Sequence, residues 1–280
     1  MRDRVVTDEL LDEYRMWLYA SEKSLGTIKK YFRYLRLFQE FMKGEEVNKD
    51  RVIVWKEEMK KHFCANTVNV ALAAVNGFFK YCKWTECAAK FIRINRKIFW
   101  QEQQLLSVEE YKRMVKTAQE LGQEKLALLL QTVCSTEIRI SELQYITVQA
   151  ADKGIAEVDC KGRVRTIFLT RQICWRLKYY ADKHGIQTGM IFVTRNGKPL
   201  DRSNIWRKMQ WLGIRAGVET EKIYPHNLRH LFARSYYDQE RDLSRLADIL
   251  GHSSINTTRI YTIESGHSHV MQMEKLNLTI

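Results

Sequence analysis

The sequence predicts a mainly α-helical protein with a small β-sheet, built as an all-helical N-terminal domain followed by a mixed α+β domain. Through residues 7–84, apolar residues recur at spacings of three and four, which is the period of amphipathic helices. Only two prolines and 13 glycines interrupt the 280 residues. Residues 154–170 differ, because β-branched residues flank a Lys-Gly pair there and predict two short strands joined by a tight turn.

The N-terminal domain is predicted to contain four helices. They are expected at residues 7–21, 24–43, 50–63 and 66–84. The second has the clearest apolar stripe, formed by Leu25, Ile28, Tyr31, Phe32, Leu35, Phe38, Phe41 and Met42. Lys29, Arg33 and Arg36 line up on another face of this helix, which is suited to phosphates and equally to solvent.

The helical period lapses over residues 91–106, which we interpret as a linker between domains at 1–90 and 107–280. Ser107 and Glu110 then have the spacing of a capping box and predict a helix start. Further helices are expected at residues 108–121, 124–134, 171–184 and 203–216, and from residue 225 onward except at "GHSS". Residues 264–280 form a C-terminal tail with a short amphipathic stretch.

The charge of the chain indicates a polyanionic partner. Lys and Arg number 46 against 33 Asp and Glu, which gives a net charge of +13. Basic residues exceed acidic ones by 20 to 14 up to Gln103 and by 26 to 19 after it, so both domains are basic. There is no apolar run long enough for a membrane helix or a signal peptide, and the six scattered cysteines favour reduced thiols. A cytoplasmic protein is therefore expected.

The stretch "PHNLRHLFARSYY" raises a choice between a metal site and an anion site. His226 and His230 stand four residues apart and share a helix face, but the residues between them supply Arg229 instead of the glutamate of a zinc protease helix. A guanidinium opposes a divalent cation and favours an anion. With Pro225 suited to a helix start, His226 and Arg229 predict a phosphate pocket without a metal, and His230 is expected to be a packing residue.

Other residues extend this pocket. Arg139 has a nearby carboxylate in Glu142, Lys161 stands at the predicted turn, and His252 and Tyr261 follow. Arginines can hold the non-bridging oxygens of a phosphate, lysine or histidine can move protons, and a phenol can act as a covalent nucleophile. This is a set of groups sufficient for metal-free phosphoryl transfer.

In this order and spacing, the residues resemble those of the tyrosine recombinases, the phage-integrase and Xer type of site-specific DNA recombinase. The resemblance rests on "TEIRISEL" with Arg139, "CKGRVR" with Lys161, "PHNLRHLFA" with His226 and Arg229, and "LADILGHSSINTTRIYT" with His252 and Tyr261. The helical region before them, including "SLGTIKKYFRYLRLFQEF", is similar to the core-binding domain of that family.

The resemblance implies a C-shaped clamp around double-stranded DNA and a catalytic domain of tyrosine-recombinase type. It implies that Tyr261 forms a 3′-phosphotyrosyl link, that Arg139 and Arg229 stabilise the transition state, and that Lys161 protonates the leaving oxygen. His226 would assist proton transfer, His252 would bind a non-bridging oxygen, and Glu142 would orient Arg139 or a histidine.

The same resemblance implies no cofactor, no metal and no ATP, with DNA contacts that include Lys29, Arg33 and Arg36. It also implies a homotetramer on paired recombination sites, with a monomer in solution, and a tail that can dock on a neighbouring subunit. Integration of a mobile element, inversion and resolution all remain open.

The sequence departs from the family pattern at two places. Glu137 stands where the family has a glycine, so either the backbone is strained there or the loop differs. The hairpin around Lys161 is short, and Arg163 and Arg165 are rival cations. The alternatives are a DNA-binding protein with lost or regulated catalysis, a topoisomerase, and a metallohydrolase that uses His226, His230 and His252.

Overall fold

A computed structural model describes residues 4–94, 105–159, 164–251, 254–261 and 274–275. The chain divides into two compact units, Met1–Arg96 and Lys97–Ile280. Most of the predicted linker at 91–106 lies outside the described residues, as do Lys161, Arg163, His252 and nearly all of the predicted tail. The mainly helical fold with one small sheet is as the sequence predicts.

The N-terminal unit contains four α-helices, each close to its predicted position. They are α1 (Asp8–Ala20), α2 (Leu25–Met42), α3 (Lys49–His62) and α4 (Ala65–Cys82). Side chains of Thr7, Ser24 and Asn48 accept hydrogen bonds from backbone N–H groups in the first turns of α1, α2 and α3. The apolar stripe of α2 was wrong at Leu25, which is 65% exposed because it opens the helix beyond the edge of the core.

Aromatic packing forms the core of this unit. Helix α2 packs against α4, and the Phe38 ring meets the rings of Trp55 and Phe79 edge to face. On the outer face of α2, Lys29 and Arg33 are exposed. Arg36 is partly buried, forms an ion pair with Asp8 and donates to Gln39 Oε1 at 2.8 Å. The three cations predicted to bind DNA are therefore not equivalent, since Arg36 already has partners.

The C-terminal unit contains the predicted hairpin among its helices. Its helices are α5 (Val108–Glu120), α6 (Glu124–Thr136), α7 (Val148–Lys153), α8 (Arg171–Lys183), α9 (Arg202–Arg215), α10 (Pro225–Glu240), α11 (Leu243–Leu250) and α12 (Ile255–Thr258). Strands β1 (Ile155–Asp159) and β2 (Val164–Phe168) pair antiparallel, with Ile155 opposite Phe168 and Asp159 opposite Val164. The Ser107–Glu110 capping box is present as predicted.

Helix α6 lies at the centre of the second unit and places its C-terminus at the candidate site. It packs against α5, α8 and α10, and Leu129, Leu130 and Val133 are fully enclosed in the core. The approach to α10 is also fixed by packing, because the Ile223 side chain covers Gly213 of α9 so closely that a Cβ there would lie 1.7 Å from Ile223 Cδ1. The end of α6 and the start of α10 are thus both held by the core.

Five cysteines in the described part of the chain are free thiols: Cys64, Cys82, Cys87, Cys134 and Cys174. Cys160 lies outside the described residues. Among the helices that the structure describes, none has the length and apolar composition required to span a bilayer.

Candidate active site

The first part of the site is the turn that ends α6. Glu137 caps this helix with φ 58° and ψ 11°, in the left-handed region that favours glycine, and its side chain is buried. A non-glycine residue in this conformation costs roughly 1–2 kcal/mol. The sequence left open whether Glu137 is strained or the loop differs, and the structure shows the left-handed backbone. The contacts of its carboxylate offset this cost.

Two arginines hold the Glu137 carboxylate. Arg229 Nη1 donates to Oε2 at 2.5 Å, and Arg165 Nη1 donates to Oε1 at 2.6 Å. Burial raises the pKa of Glu137 to about 7, although Arg229 and Arg165 act in the opposite direction. Two cations within hydrogen-bonding distance are what make a carboxylate tolerable at this depth.

Arg139 follows at the start of a short 3₁₀ helix, Ile140–Tyr145, and Glu142 fixes its position. The Glu142 carboxylate accepts from the Arg139 backbone N–H and from Arg139 Nη1, both at 2.9 Å, and from Arg165 Nη2 at 2.6 Å. Burial alone would raise the pKa of Glu142, but these hydrogen bonds outweigh it and lower that pKa. Glu142 was predicted to orient Arg139 or a histidine, and its described hydrogen bonds are with Arg139 and Arg165.

Arg229 lies in the first half of α10 and is almost fully enclosed, with 3% of its side chain exposed. Besides the Glu137 carboxylate, Arg229 Nη1 donates to the Glu137 backbone carbonyl, and Nη2 donates to the Leu250 carbonyl at 2.7 Å. Burial lowers the pKa of Arg229, and the Glu137 carboxylate opposes this. The guanidinium therefore forms hydrogen bonds to the C-terminal ends of both α6 and α11.

His226 lines a small cleft of about 90 Å³. The cleft is lined by Ile138, Arg139, Ile140, Ser141, Arg202, Pro225, His226 and Arg229. Pro225 occupies the first turn of α10, as predicted. Partial desolvation, followed by the charges of Arg202, Arg229 and Arg139, lowers the pKa of His226, so its imidazole is mainly neutral at pH 7.

Arg202 is a cation of this cleft that sequence reasoning missed. It opens α9 and lines the same cleft as Arg139 and His226. No motif singles it out, because it stands in an ordinary polar helix start, "DRSN". Only the fold brings it to the other arginines.

Tyr261 is the last residue of the described range 254–261 and lies in a 3₁₀ turn at Arg259–Tyr261. Its side chain is buried with Ala233, Leu246 and Leu250 in a small separate core. The phenol is close enough to Arg229 to affect that guanidinium electrostatically. The structure thus places the predicted nucleophile against α10 of its own chain.

His230 packs on Tyr261, in agreement with its predicted role. The two rings meet edge to face with centroids 4.9 Å apart. Burial, together with His226, Arg234 and Arg229, lowers the pKa of His230 to about 4. At neutral pH this ring is therefore uncharged and supports the tyrosine by contact.

This pKa predicts a pH-dependent stability. Because the folded pKa is about 4 and the ordinary value is 6.5, the unfolded chain takes up the proton first as pH falls. Above pH 6.5 the stability that depends on a neutral His230 is complete. Between pH 6.5 and pH 4 this contribution falls by about 3 kcal/mol, at 1.36 kcal/mol per pKa unit. Because the raised pKa of Glu137 acts in the opposite direction over this range, the effect is measured as a difference: from pH 7.5 to pH 4, urea unfolding should show wild type losing stability relative to His230→Phe. Parallel profiles would contradict the assignment.

Arg165 requires a correction to the sequence reasoning. It was treated as a rival of Lys161 for the phosphate, but its guanidinium is bound to Glu137 and Glu142 and its side chain is only 15% exposed. Lys161, Arg163 and His252 lie outside the described residues, so their roles stay predictions. Arg139, His226 and Arg229 are brought together, as predicted, and Tyr261 lies near Arg229.

No cluster of three or more histidine, cysteine or carboxylate side chains suited to a metal ion occurs within the described residues. Arg139, Arg202 and Arg229 act on His226, and Arg229 and Arg234 act on His230, so the positive charge at both rings opposes a divalent cation.

Two family models match the chain. The "Phage integrase family" model matches residues 104–267, and the "Phage integrase, N-terminal SAM-like domain" model matches residues 11–86. The chain is 27% identical over 287 residues to tyrosine recombinase XerA of Pyrococcus furiosus, which covers 99% of this chain and 97% of that protein.

Two solved structures share the fold. One is XerH site-specific recombinase bound to difH substrate in a pre-cleavage complex, with a TM-score of 0.70, 19% identity, and coverage of 92% of this chain and 82% of that chain. The other is a lambda integrase tetramer bound to a Holliday junction, with a TM-score of 0.73, 16% identity, and coverage of 93% and 78%. The family model spans more than half of the chain, and the XerA relative matches nearly its whole length. The chain therefore belongs to the phage integrase family.

Proposed function

We propose that this protein is a tyrosine-type site-specific DNA recombinase that cuts and rejoins DNA through a 3′-phosphotyrosyl intermediate. The observation that carries the proposal is that Arg139, His226 and Arg229 line one cleft while Tyr261 of the same chain lies close enough to Arg229 to act on it electrostatically. These side chains come from three regions far apart in sequence. Their convergence supplies a nucleophile, a proton acceptor and two cations for one phosphate.

The reaction is a transesterification. Tyr261 Oη bonds to the phosphorus of a DNA phosphodiester, and the bond from phosphorus to the 5′ oxygen breaks. The phenol proton passes to His226, whose lowered pKa leaves its imidazole free to accept it at neutral pH. Arg139 and Arg229 bind the non-bridging oxygens as negative charge develops on them.

The leaving 5′ oxygen needs a proton of its own, and we assign its donation to Lys161. His252 is assigned to a non-bridging oxygen. When the 5′ hydroxyl of the partner strand attacks the phosphotyrosyl bond, the same steps run in reverse and free Tyr261. One phosphodiester replaces another, so the reaction consumes no nucleotide.

The partners follow from the charge and the family. Both halves of the chain are basic, which suits binding to the phosphates of double-stranded DNA. Residues 1–90 are proposed as the core-binding domain, with Lys29 and Arg33 on an exposed face of α2 as phosphate contacts. Arg36 is a weaker candidate because it is paired with Asp8. Residues 107–280 are proposed as the catalytic domain.

Further parts of the proposal rest on the family. A homotetramer is proposed for the synaptic complex, in keeping with the lambda integrase tetramer that shares this fold. A clamp around DNA, a tail at 264–280 that docks on a neighbour, and a cytoplasmic location complete it.

The experiment that tests the function is a map of covalent protein–DNA junctions. Purified protein is incubated with fragmented genomic DNA of the source, denatured, captured with its bound DNA and sequenced. Recombination predicts junctions at one or a few sequences in the wild type and none in Tyr261→Phe, which should still bind the same fragments. Specific binding with no covalent junction would instead favour a DNA-binding protein without catalysis. The relative orientation of the mapped sites would separate inversion, resolution and integration.

A further inference from the structure

The candidate site contains a chain of alternating charges that is buried except at Arg139. It runs from Arg139 through Glu142, Arg165 and Glu137 to Arg229, and successive partners are 2.9, 2.6, 2.6 and 2.5 Å apart. The two ends are the arginines assigned to the phosphate. The three residues between them touch no part of the proposed reaction directly.

Arg165 is the centre of this chain. Its two Nη atoms hold one carboxylate each, Glu137 through Nη1 and Glu142 through Nη2. A planar guanidinium can bridge two carboxylates in fixed directions, which a lysine ammonium on a flexible stem does not. Arg165 extends from β2, whereas Glu137 and Glu142 flank Arg139 at the end of α6, so it also ties the hairpin to this turn.

The two carboxylates need this cation. Glu137 and Glu142 are 2% and 3% exposed and close enough for the charge of Glu142 to act on Glu137. Without Arg165, the ion pairs among the described residues would leave Glu142 with Arg139 and Glu137 with Arg229. Each carboxylate would then be free to rotate away from its catalytic arginine, because Arg165 would no longer hold Glu137 and Glu142 in place.

We propose that Arg165 is a positioning residue for strand cleavage, which holds Glu137 and Glu142 so that these carboxylates fix Arg229 and Arg139 at the spacing of one phosphate. This inference rests on the proposed function and deepens it. It gives Glu137 a purpose in this site, since the carboxylate at a strained backbone position is the link between Arg165 and Arg229.

The test is a double-mutant cycle on cleavage. Wild type, Arg165→Gln, Glu137→Gln and the double variant are compared on a suicide substrate built on a mapped site, by single-turnover adduct formation at saturating DNA. Affinity is measured separately by fluorescence anisotropy, and folding by circular dichroism. Arg241→Gln is the matched control, since Arg241 is exposed and its ion pair with Asp238 is a long one, 3.8 Å, at the surface.

Positioning predicts that Arg165→Gln slows cleavage by about 30-fold or more while the DNA Kd stays within about threefold. The double variant should cleave about as slowly as the slower of the two single variants, because both substitutions break the same chain of contacts between Arg165 and Arg229. If Arg165→Gln does not fold, Arg165→Lys decides the question: it keeps the charge but not the fork, and should lose about tenfold in rate.

Wild-type cleavage by a folded Arg165→Gln or by Arg165→Lys would overturn the inference. So would a double variant as slow as the product of the single effects. These results leave the proposed function intact. A wild-type protein that forms no adduct overturns the proposed function and this inference together.

Discussion

Replacing Arg229 with alanine is expected to slow strand cleavage severely and to destabilise the C-terminal unit. The guanidinium is 3% exposed and donates to the Glu137 carboxylate, the Glu137 carbonyl and the Leu250 carbonyl. Removing one partner of a buried ion pair costs about 3–5 kcal/mol. Loss of a donor to the transition state lowers cleavage by about 10²–10³ or more.

Urea unfolding and single-turnover adduct formation measure the two effects separately. Arg229→Lys keeps the charge and should recover part of the stability, yet cleavage should stay about 100-fold or more below wild type because the forked contacts are lost. Arg241→Ala is the control for loss of an arginine from this unit, and it should stay within about 0.5 kcal/mol of wild type. Full cleavage by Arg229→Lys would be inconsistent with Arg229 as a phosphate ligand.

Replacing Glu142 with glutamine is the second large effect. The carboxylate is 4% exposed and accepts from the Arg139 backbone, the Arg139 side chain and Arg165. Loss of the charge weakens all three bonds and should cost about 3 kcal/mol of unfolding free energy. Cleavage should fall about 100-fold because Arg139 is no longer held at the cleft.

The acid limb of stability provides an independent measurement of Glu142. Its pKa is lowered in the folded state from an ordinary 4.5, so its contribution is complete above pH 4.5 and is lost as pH falls through the folded pKa. Wild type should therefore lose more stability below pH 4.5 than Glu142→Gln. Glu124→Gln is the matched control, since Glu124 pairs with Lys183 at the surface and should change stability by less than about 1 kcal/mol. A Glu142→Gln profile parallel to wild type would contradict the assignment.

Much of the fold could be predicted because its signals are local. The N-terminal helices follow from apolar spacing, and the structure adds Thr7, Ser24 and Asn48 as the caps of the first three. The hairpin follows from alternation around a Lys-Gly turn, and its paired strands lie where predicted. Leu25 was misassigned because helical spacing identifies a face but not where the neighbouring helix ends.

The candidate site was predictable only in part. Motif order singled out Arg139, His226, Arg229 and Tyr261, and Glu142 is close enough in sequence to Arg139 to be paired with it. The contacts of Arg165 with Glu137 and of Glu137 with Arg229 join residues 28 and 92 positions apart, and no periodicity encodes them. Arg202 reaches the cleft only through the position of α9. The sequence identified the groups that can act on a phosphate. The buried ion pairs that position these groups could be recognised only in the folded structure.

The central claim is that Tyr261 carries the DNA during the reaction, and peptide mapping of the adduct tests it most directly. The wild-type adduct is digested with protease and nuclease, and the peptide that retains a nucleotide is sequenced by mass spectrometry. The account predicts a 3′-phosphonucleotide on Tyr261. A nucleotide on another residue, such as the neighbouring Tyr236 or Tyr237, or an adduct that persists in Tyr261→Phe, would contradict it.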